Sequence, residues 1–424
     1  MNRKSQTKHK PASPKRRNNH KTLIITSTTL LCILALCVMA LSVFAMKKHA
    51  LKDDESEQSA QIDPANDSKA PAGFSFIGTG DCIVDDTIYT YYEYYNGNRE
   101  FAPIFEYTAQ TVQPADLSFI NLKTPIGGDS YGISGSPRYN GPLEMLNALN
   151  QTGFNWYGAA SNHALDSGKD ALINEVNYIR TTFPDASVSG ASRNQEESGQ
   201  PVIREINGIR VALISMTDSL GSNKLKAEDS WVIDTWHSDE GGIDYPGIKD
   251  RLSAAEAQSD VQIVSVEWGN EDDSSISDQQ RELAAFLADQ GADVILGSGP
   301  GVIQPVEYIQ SGSGTTLCYY SLGNYLSAAQ TRENLIGGMA AFNLNYDFAT
   351  GTVSFNDVKF IPTVMYYTPS LNEFRTNTLQ TYTDAMAANQ YVTYVAGTDF
   401  SRDFVKTYVS GIMGSPENIQ LVLD

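Results

Sequence analysis

The chain has 424 residues, with 30 Lys+Arg against 50 Asp+Glu for a net charge of −20. The charges are segregated: Met1 to Lys48 carries ten basic residues and no acid, so the remaining 376 residues sit at −30. A body of that sign repels phosphate backbones, which excludes general nucleic-acid binding, and 41% hydrophobic content with 10% aromatic residues excludes a wholly disordered chain.

Residues 1–21 form a basic head, and residues 22–46 follow as 25 uncharged, largely apolar positions. A bilayer core takes about 20 such residues as a helix. The eight Lys/Arg ahead of the span favour a cytoplasmic N-terminus. Two readings stand: an uncleaved single-pass anchor, which is preferred, or a signal peptide cut near Val43-Phe44-Ala45. The run exceeds the usual apolar core of a signal peptide, about 7–15 residues. Either way the acidic body lies outside the cytoplasm, and the anchor reading places the protein in the cell membrane with its C-terminal domain extracellular. Residues 47–73 are polar and poor in large apolar side chains, as a linker is. Cys32 and Cys37 lie in the span. Cys82 and Cys318 read as two buried thiols rather than a disulfide scaffold, and the sequence has no CxxC or Cys/His cluster for zinc.

Phe74 to Asp81 alternates like a strand that ends in a Gly-rich turn. Strand-like runs recur at Leu117–Leu122, Trp156–Ala159, Val202–Ile206, Val211–Ser215, Val261–Val266, Val294–Leu296 and Leu317–Ser321. Helical patterns lie between several of them, at Pro142–Gln151, Gly168–Thr181 and Asp278–Asp289. Alternating strands and helices predict an α/β fold with a largely buried sheet. Ala340–Phe348 and Thr352–Val364 read as a hairpin, which closes a domain over residues 74–364. A helical tail over 365–424 then packs on or extends that domain.

In α/β sheets the polar residues just past strand ends are the expected site positions. Six such places stand out: Gly78–Asp81, Asn121–Pro125, Ser161–Asp166, Glu267–Gly269, Gly297–Gly301 and Ser321–Asn324. None is specific by spacing alone, since a lone Asp after a strand is more often a cap or turn residue. Their order is specific. It resembles the CapA-type poly-γ-glutamate capsule biosynthesis family, whose domain looks like a calcineurin-like metallophosphatase. The counterparts of the family's GD, NLE-T-P, ANNHA-x-D-x-G, HWG, GADxIxGHHPHVxQPxE and YSLGN motifs are Gly80-Asp81, Asn121–Pro125, Ala160–Gly168, Glu267–Gly269, Gly291–Glu307 and Tyr320–Asn324. The resemblance covers Phe74 to about Leu344. It implies a layered α/β sandwich of the metallophosphatase type, with a role in capsule or polyglutamate assembly alongside synthase membrane subunits and the surface polymer.

The departures carry as much information as the match. Asp81, Asn162 and His163 agree with the family pattern, but Lys123 stands where the Glu of NLE would be. Glu267 replaces the His of HWG, and Ser298, Gly299 and Gly301 replace the three histidines of GHHPH. Two bridging metals about 3.5–4 Å apart each need several His or carboxylate ligands, and an ammonium at Lys123 repels divalent ions. The preferred expectation is therefore no metal, with Lys123 paired to Asp81 or Glu267 in the electrostatic role a metal has in relatives. The competing one is a single hard cation, Mg²⁺ or Ca²⁺, on Asp81, Asn162 and Glu267 oxygens.

The residues expected to carry any chemistry are Asp81, Lys123, His163 and Glu267, with Asn121, Asn162, Ser298 and Asn324 lining the cleft. His163 reads first as a structural histidine and second as an acid/base with Asp81 or Asp166. Gly297–Gly301 has a second reading as an anion-cradling nest. The Tyr89–Tyr95 cluster reads as a half-packed helix before a polymer-binding surface. Three functions stay open: a non-hydrolytic surface-polymer protein, a hydrolase with an altered centre, and an envelope protein with an idle cleft. The −30 body disfavours long-range attraction of a polyanion, although charges beyond about 8 Å are screened. It favours docking to a partner protein or a neutral glycan.

Overall fold

The computed structural model describes residues 69–92, 97, 99–238 and 241–424. The basic head, the 22–46 span and most of the 47–73 linker lie outside the described residues. In chain order the strands are β1 (Ala72–Cys82), β2 (Leu117–Leu122), β3 (Trp156–Gly158), β4 (Ser187–Ser189), β5 (Val202–Ile206), β6 (Ile209–Met216), β7 (Val261–Glu267) and β8 (Val294–Ser298). They continue as β9 (Ile303–Gln310), β10 (Thr315–Leu322), β11 (Asn324–Leu326), β12 (Ile336–Asp347), β13 (Thr352–Tyr367), β14 (Phe374–Thr378) and β15 (Gln420–Leu421).

Two sheets result. The first runs β14-β13-β12-β1-β2-β3-β4, with β11 beside β1 and β15 beside β13; the second runs β5-β6-β7-β8-β10-β9. β1 to β4 are mutually parallel, as are β6, β7, β8 and β10. Alternate side chains of the second sheet enter different cores. Leu213, Ile263 and Leu296 join the large cluster shared with the first sheet, while Ile214, Val264 and Ile295 pack under the helices Tyr245–Glu256 and Asp278–Asp289. Both faces are thus covered, which is why β7 is buried at every position and places Val261, Ile263, Val264 and Val266 within seven residues. Helices Glu144–Thr152 and Lys169–Thr182 contribute Leu146, Leu149, Leu172 and Val176 to the large core.

Several elements differ from the sequence expectation. β9 contains Pro305 and occupies the sheet edge, where a missing N–H is tolerated. The segment after residue 364 holds helices at Asp384–Ala388, Tyr391–Ala396 and Arg402–Met413, but it also contributes β14 and β15 to the first sheet. β1 starts at Ala72, inside the stretch read as linker. Tyr89 and Tyr92 are buried, with Tyr92 packed edge-on against Tyr91 and tilted against Phe101; Tyr94 and Tyr95 lie outside the described residues. Among the described residues Cys82 and Cys318 form no disulfide and are buried thiols, and burial pushes both thiols up.

Candidate functional site

Parallel strands end on the same side of a sheet, so the C-terminal ends of β1, β2, β7 and β8 deliver side chains to one place. Asp81 and Asn121 are register partners, as are Glu267 and Ser298 across β7 and β8. Asn121 Nδ2 joins the two sheets, donating to Asp81 Oδ1 at 2.7 Å and to Ser298 Oγ at 3.2 Å. The glycine before Asp81 has a packing reason. A Cβ at Gly80 would stand 1.9 Å from the carbonyl oxygen of Gly323, where β11 closes on β1 and Asp81 N donates to that same oxygen.

Lys123 follows β2 and is almost fully buried, and its Nζ lies 3.0 Å from Glu267 Oε1. Of the two partners open to it, the structure gives Glu267. The same oxygen accepts the backbone N–H of Asn162 at 2.9 Å. Ser161 Oγ donates to the carbonyl of Lys123 at 2.7 Å, which ties the Asn162-His163 segment to the β2 end. Trp236 Nε1 donates to the Glu267 carbonyl and Trp268 Nε1 to that of Tyr320, both at 2.8 Å, which holds the backbone behind the carboxylate.

Burial works against the Lys123 ammonium, yet Glu267 and Asp81 carry its pKa above the ordinary value. Burial pushes the Glu267 carboxyl up to about 7; Lys123 pulls it down and Asp81 pushes it further up. Burial likewise raises Asp218.

These groups line a cavity of 420 Å³ with His163, Asn324, Asp85, Asp218 and Asp272, a size typical of ligand sites. His163 Nδ1 lies 2.8 Å from Asp166 Oδ2. That carboxylate is fixed in turn by the Tyr139 N–H at 3.2 Å and by Asn223 Nδ2 at 3.0 Å. The ring of Tyr139 packs edge-on against His163. Asn324 Nδ2 donates to the Asn334 carbonyl at 3.0 Å.

The glycine loop after β8 serves packing. Gly299 has φ +113°, a Cβ there would stand 2.4 Å from the Trp268 carbonyl oxygen, and its N–H is directed at Asp81 Oδ2 at 3.4 Å. Its donor faces an internal carboxylate, so the nest reading finds no free N–H at this position. All eight residues singled out from the sequence belong to this assembly: Asn121 and Ser298 join its floor, and the other six line the cavity.

Sequence reasoning missed Asp218, Asp85, Tyr139, Glu271 and Asp272, which also line the cavity. Asp218 had a usable signal, since it stands two residues past the end of β6 as the other site residues stand past theirs.

A dinuclear centre does not fit this donor set. Among the described residues no three His, Cys, Asp or Glu side chains converge as ligands of a metal ion. Glu267 Oε1 is already taken by the Lys123 ammonium and a backbone N–H, so that carboxylate has only Oε2 left for a cation, beside a positive charge.

Fold and cleft together define a layered α/β protein with an acidic, amide-lined site at the C-terminal ends of its parallel strands. The chain belongs to the family described as bacterial capsule synthesis protein PGA_cap, which matches residues 75–329. It is 29% identical over 185 residues to the PGA biosynthesis protein CapA of Bacillus subtilis (strain 168), a stretch covering 43% of this chain and 45% of that one. It is 26% identical over 183 residues to the capsule biosynthesis protein CapA of Bacillus anthracis, covering 43% of this chain and 42% of the relative. The matches therefore span less than half the length of these relatives. Among solved structures, a novel phosphatase from Mycoplasma pneumoniae superposes with a TM-score of 0.41 at 12% identity, covering 69% of this chain and 94% of the phosphatase.

Proposed function

We propose that the chain is a membrane-anchored protein of surface-polymer biosynthesis or export, held by residues 22–46 with its domain outside the cell, and that its metallophosphatase-type cleft works without a metal centre. Family membership and the names of the two CapA relatives support the capsule or poly-γ-glutamate setting. The observation that carries the metal-free reading is the buried Lys123–Glu267 pair at 3.0 Å, an ammonium where the resemblance calls for a ligand. The function is then to bind or organise a surface polymer, or to dock on synthase membrane subunits, rather than to hydrolyse.

A second reading is a hydrolase in which His163, oriented by Asp166 at 2.8 Å, transfers protons at the cavity wall. One experiment separates them. Cells lacking the chain are complemented with wild type, Asp81→Ala or His163→Ala, and surface polymer is measured alongside turnover of a model phosphodiester and of polyglutamate by the purified full chain. The binding reading expects no turnover and full complementation by His163→Ala. Turnover abolished by both substitutions would establish the hydrolase.

A further inference from the structure

The cavity is lopsided in charge and, separately, in hydrogen-bonding capacity. Six carboxylates line it: Asp81, Asp85, Asp218, Glu267, Glu271 and Asp272. Among the described residues the basic side chains lining it are Lys123 and His163, and both are engaged, with Glu267 and Asp166 respectively. Charge alone does not make a site. The second observation is that, among the described residues, Glu267 Oε2 and Asn324 Oδ1 are buried with no donor, on residues each only 3% exposed, and Asn162 Oδ1 is a third such acceptor in the lining. A buried acceptor without a donor costs about 1–3 kcal/mol, and a charged one costs more. The wall therefore lacks donors and positive charge together. Lys123 shows what the wall already accepts, because its primary ammonium sits among Glu267, Asp81 and Asp218 and is stabilised there.

We propose that the cleft binds a ligand through a primary ammonium group, placed against Glu267 Oε2 and Asn324 Oδ1 and surrounded by the remaining carboxylates. The inference rests on the metal-free reading of the cleft. A free amino terminus and an amino sugar share this chemistry. Either binds by its cationic end, whereas an anionic stretch of polymer meets a wall of its own sign. An ammonium carries three donors, and three side chains of the lining hold an unsatisfied acceptor, Glu267, Asn324 and Asn162.

The test is thermal stabilisation and calorimetric titration of the full-length chain in detergent with five probes. Alanyl-alanine amide and glucosamine are the two amine sources, N-acetylated alanyl-alanine amide and N-acetylglucosamine lack the cation, and glutarate reverses the charge. Mg²⁺, Ca²⁺ and Mn²⁺ form a separate arm. The expected result is that at least one amine binds, that its acetylated partner binds at least about tenfold more weakly, and that glutarate does not bind. The amine that wins identifies the source. Asp218→Asn and the exposed Asp272→Asn should each weaken the amine by about threefold or more, and the latter keeps a side-chain oxygen able to accept from Asn334 Nδ2, as Asp272 Oδ1 does at 2.7 Å. Equal binding of the acetylated probes, or preferred binding of glutarate, overturns the proposal. Stabilisation by a divalent ion with inert amines overturns both the proposal and the metal-free reading. A chain that responds to no probe overturns the ammonium site alone.

Discussion

Two buried carboxylates, in two regions, show what separates a structural acid from a site. On the buried face of helix Lys169–Thr182, Glu175 is enclosed with no cation against it among the described residues, and one of its oxygens accepts the Ile126 N–H. Burial pushes it up to about 8, so it is neutral through most of the physiological range. At the cleft floor Glu267 is as deeply buried but has Lys123 on one oxygen and, among the described residues, no donor on the other, in a side chain that lines a cavity. The first region resolves its desolvation penalty by holding a proton. The second resolves half of it with an internal ammonium and leaves the rest to a ligand.

The largest effect expected of this contrast is at Lys123. Lys123→Ala strands Glu267 as an uncompensated buried charge and should cost about 3–5 kcal/mol in denaturant unfolding. Replacing both partners by apolar residues of similar volume should recover most of that loss. A cost below about 1 kcal/mol would mean the pair is solvent-screened, as at a surface, and the contrast would fail.

Glu175 gives an intermediate effect with a pH sign. Its folded pKa of about 8 exceeds the ordinary value of 4.5, so the folded chain keeps a proton that the unfolded chain releases. That contribution is fully present below about pH 4.5 and is lost as pH rises to about 8, by at most about 1.4 kcal/mol per unit. Asp293, pushed up to about 7 by burial, moves the same way. Glu175→Gln should therefore flatten the unfolding free energy between pH 5 and 8 and be the more stable protein at pH 8. An unchanged slope would remove Glu175 from the account.

The smallest effect belongs to His163, which is about one-third exposed beside Asp166. His163→Ala should cost less than about 1 kcal/mol, so loss of polymer in that variant would report function rather than folding.

Much of this was legible because strands buried on both faces carry apolar runs, as β6 does at Val211–Ile214, and because the site sits where those strands stop. What escaped had physical reasons. β4 and β11 have three residues each, too few for a period to be diagnostic. β14 reads Phe-Arg-Thr-Asn-Thr, a polar string that becomes a strand only because β13 offers it an edge. The cleft-lining Asp85 looks like an ordinary helix cap, and it is one, accepting the Thr87 N–H at 3.0 Å. The choice of Glu267 over Asp81 as the partner of Lys123 depends on how two sheets face each other, and no local pattern encodes that.

The most direct measurement is the metal content of the full-length chain, purified without chelator from cells grown with ample Mn, Fe, Zn, Mg and Ca. A cleft organised by Lys123 and Glu267 predicts transition metal and bound Mg²⁺ or Ca²⁺ well below one equivalent per chain, unchanged in Asp81→Ala. One or two tightly held equivalents, lost in Asp81→Ala, would contradict it.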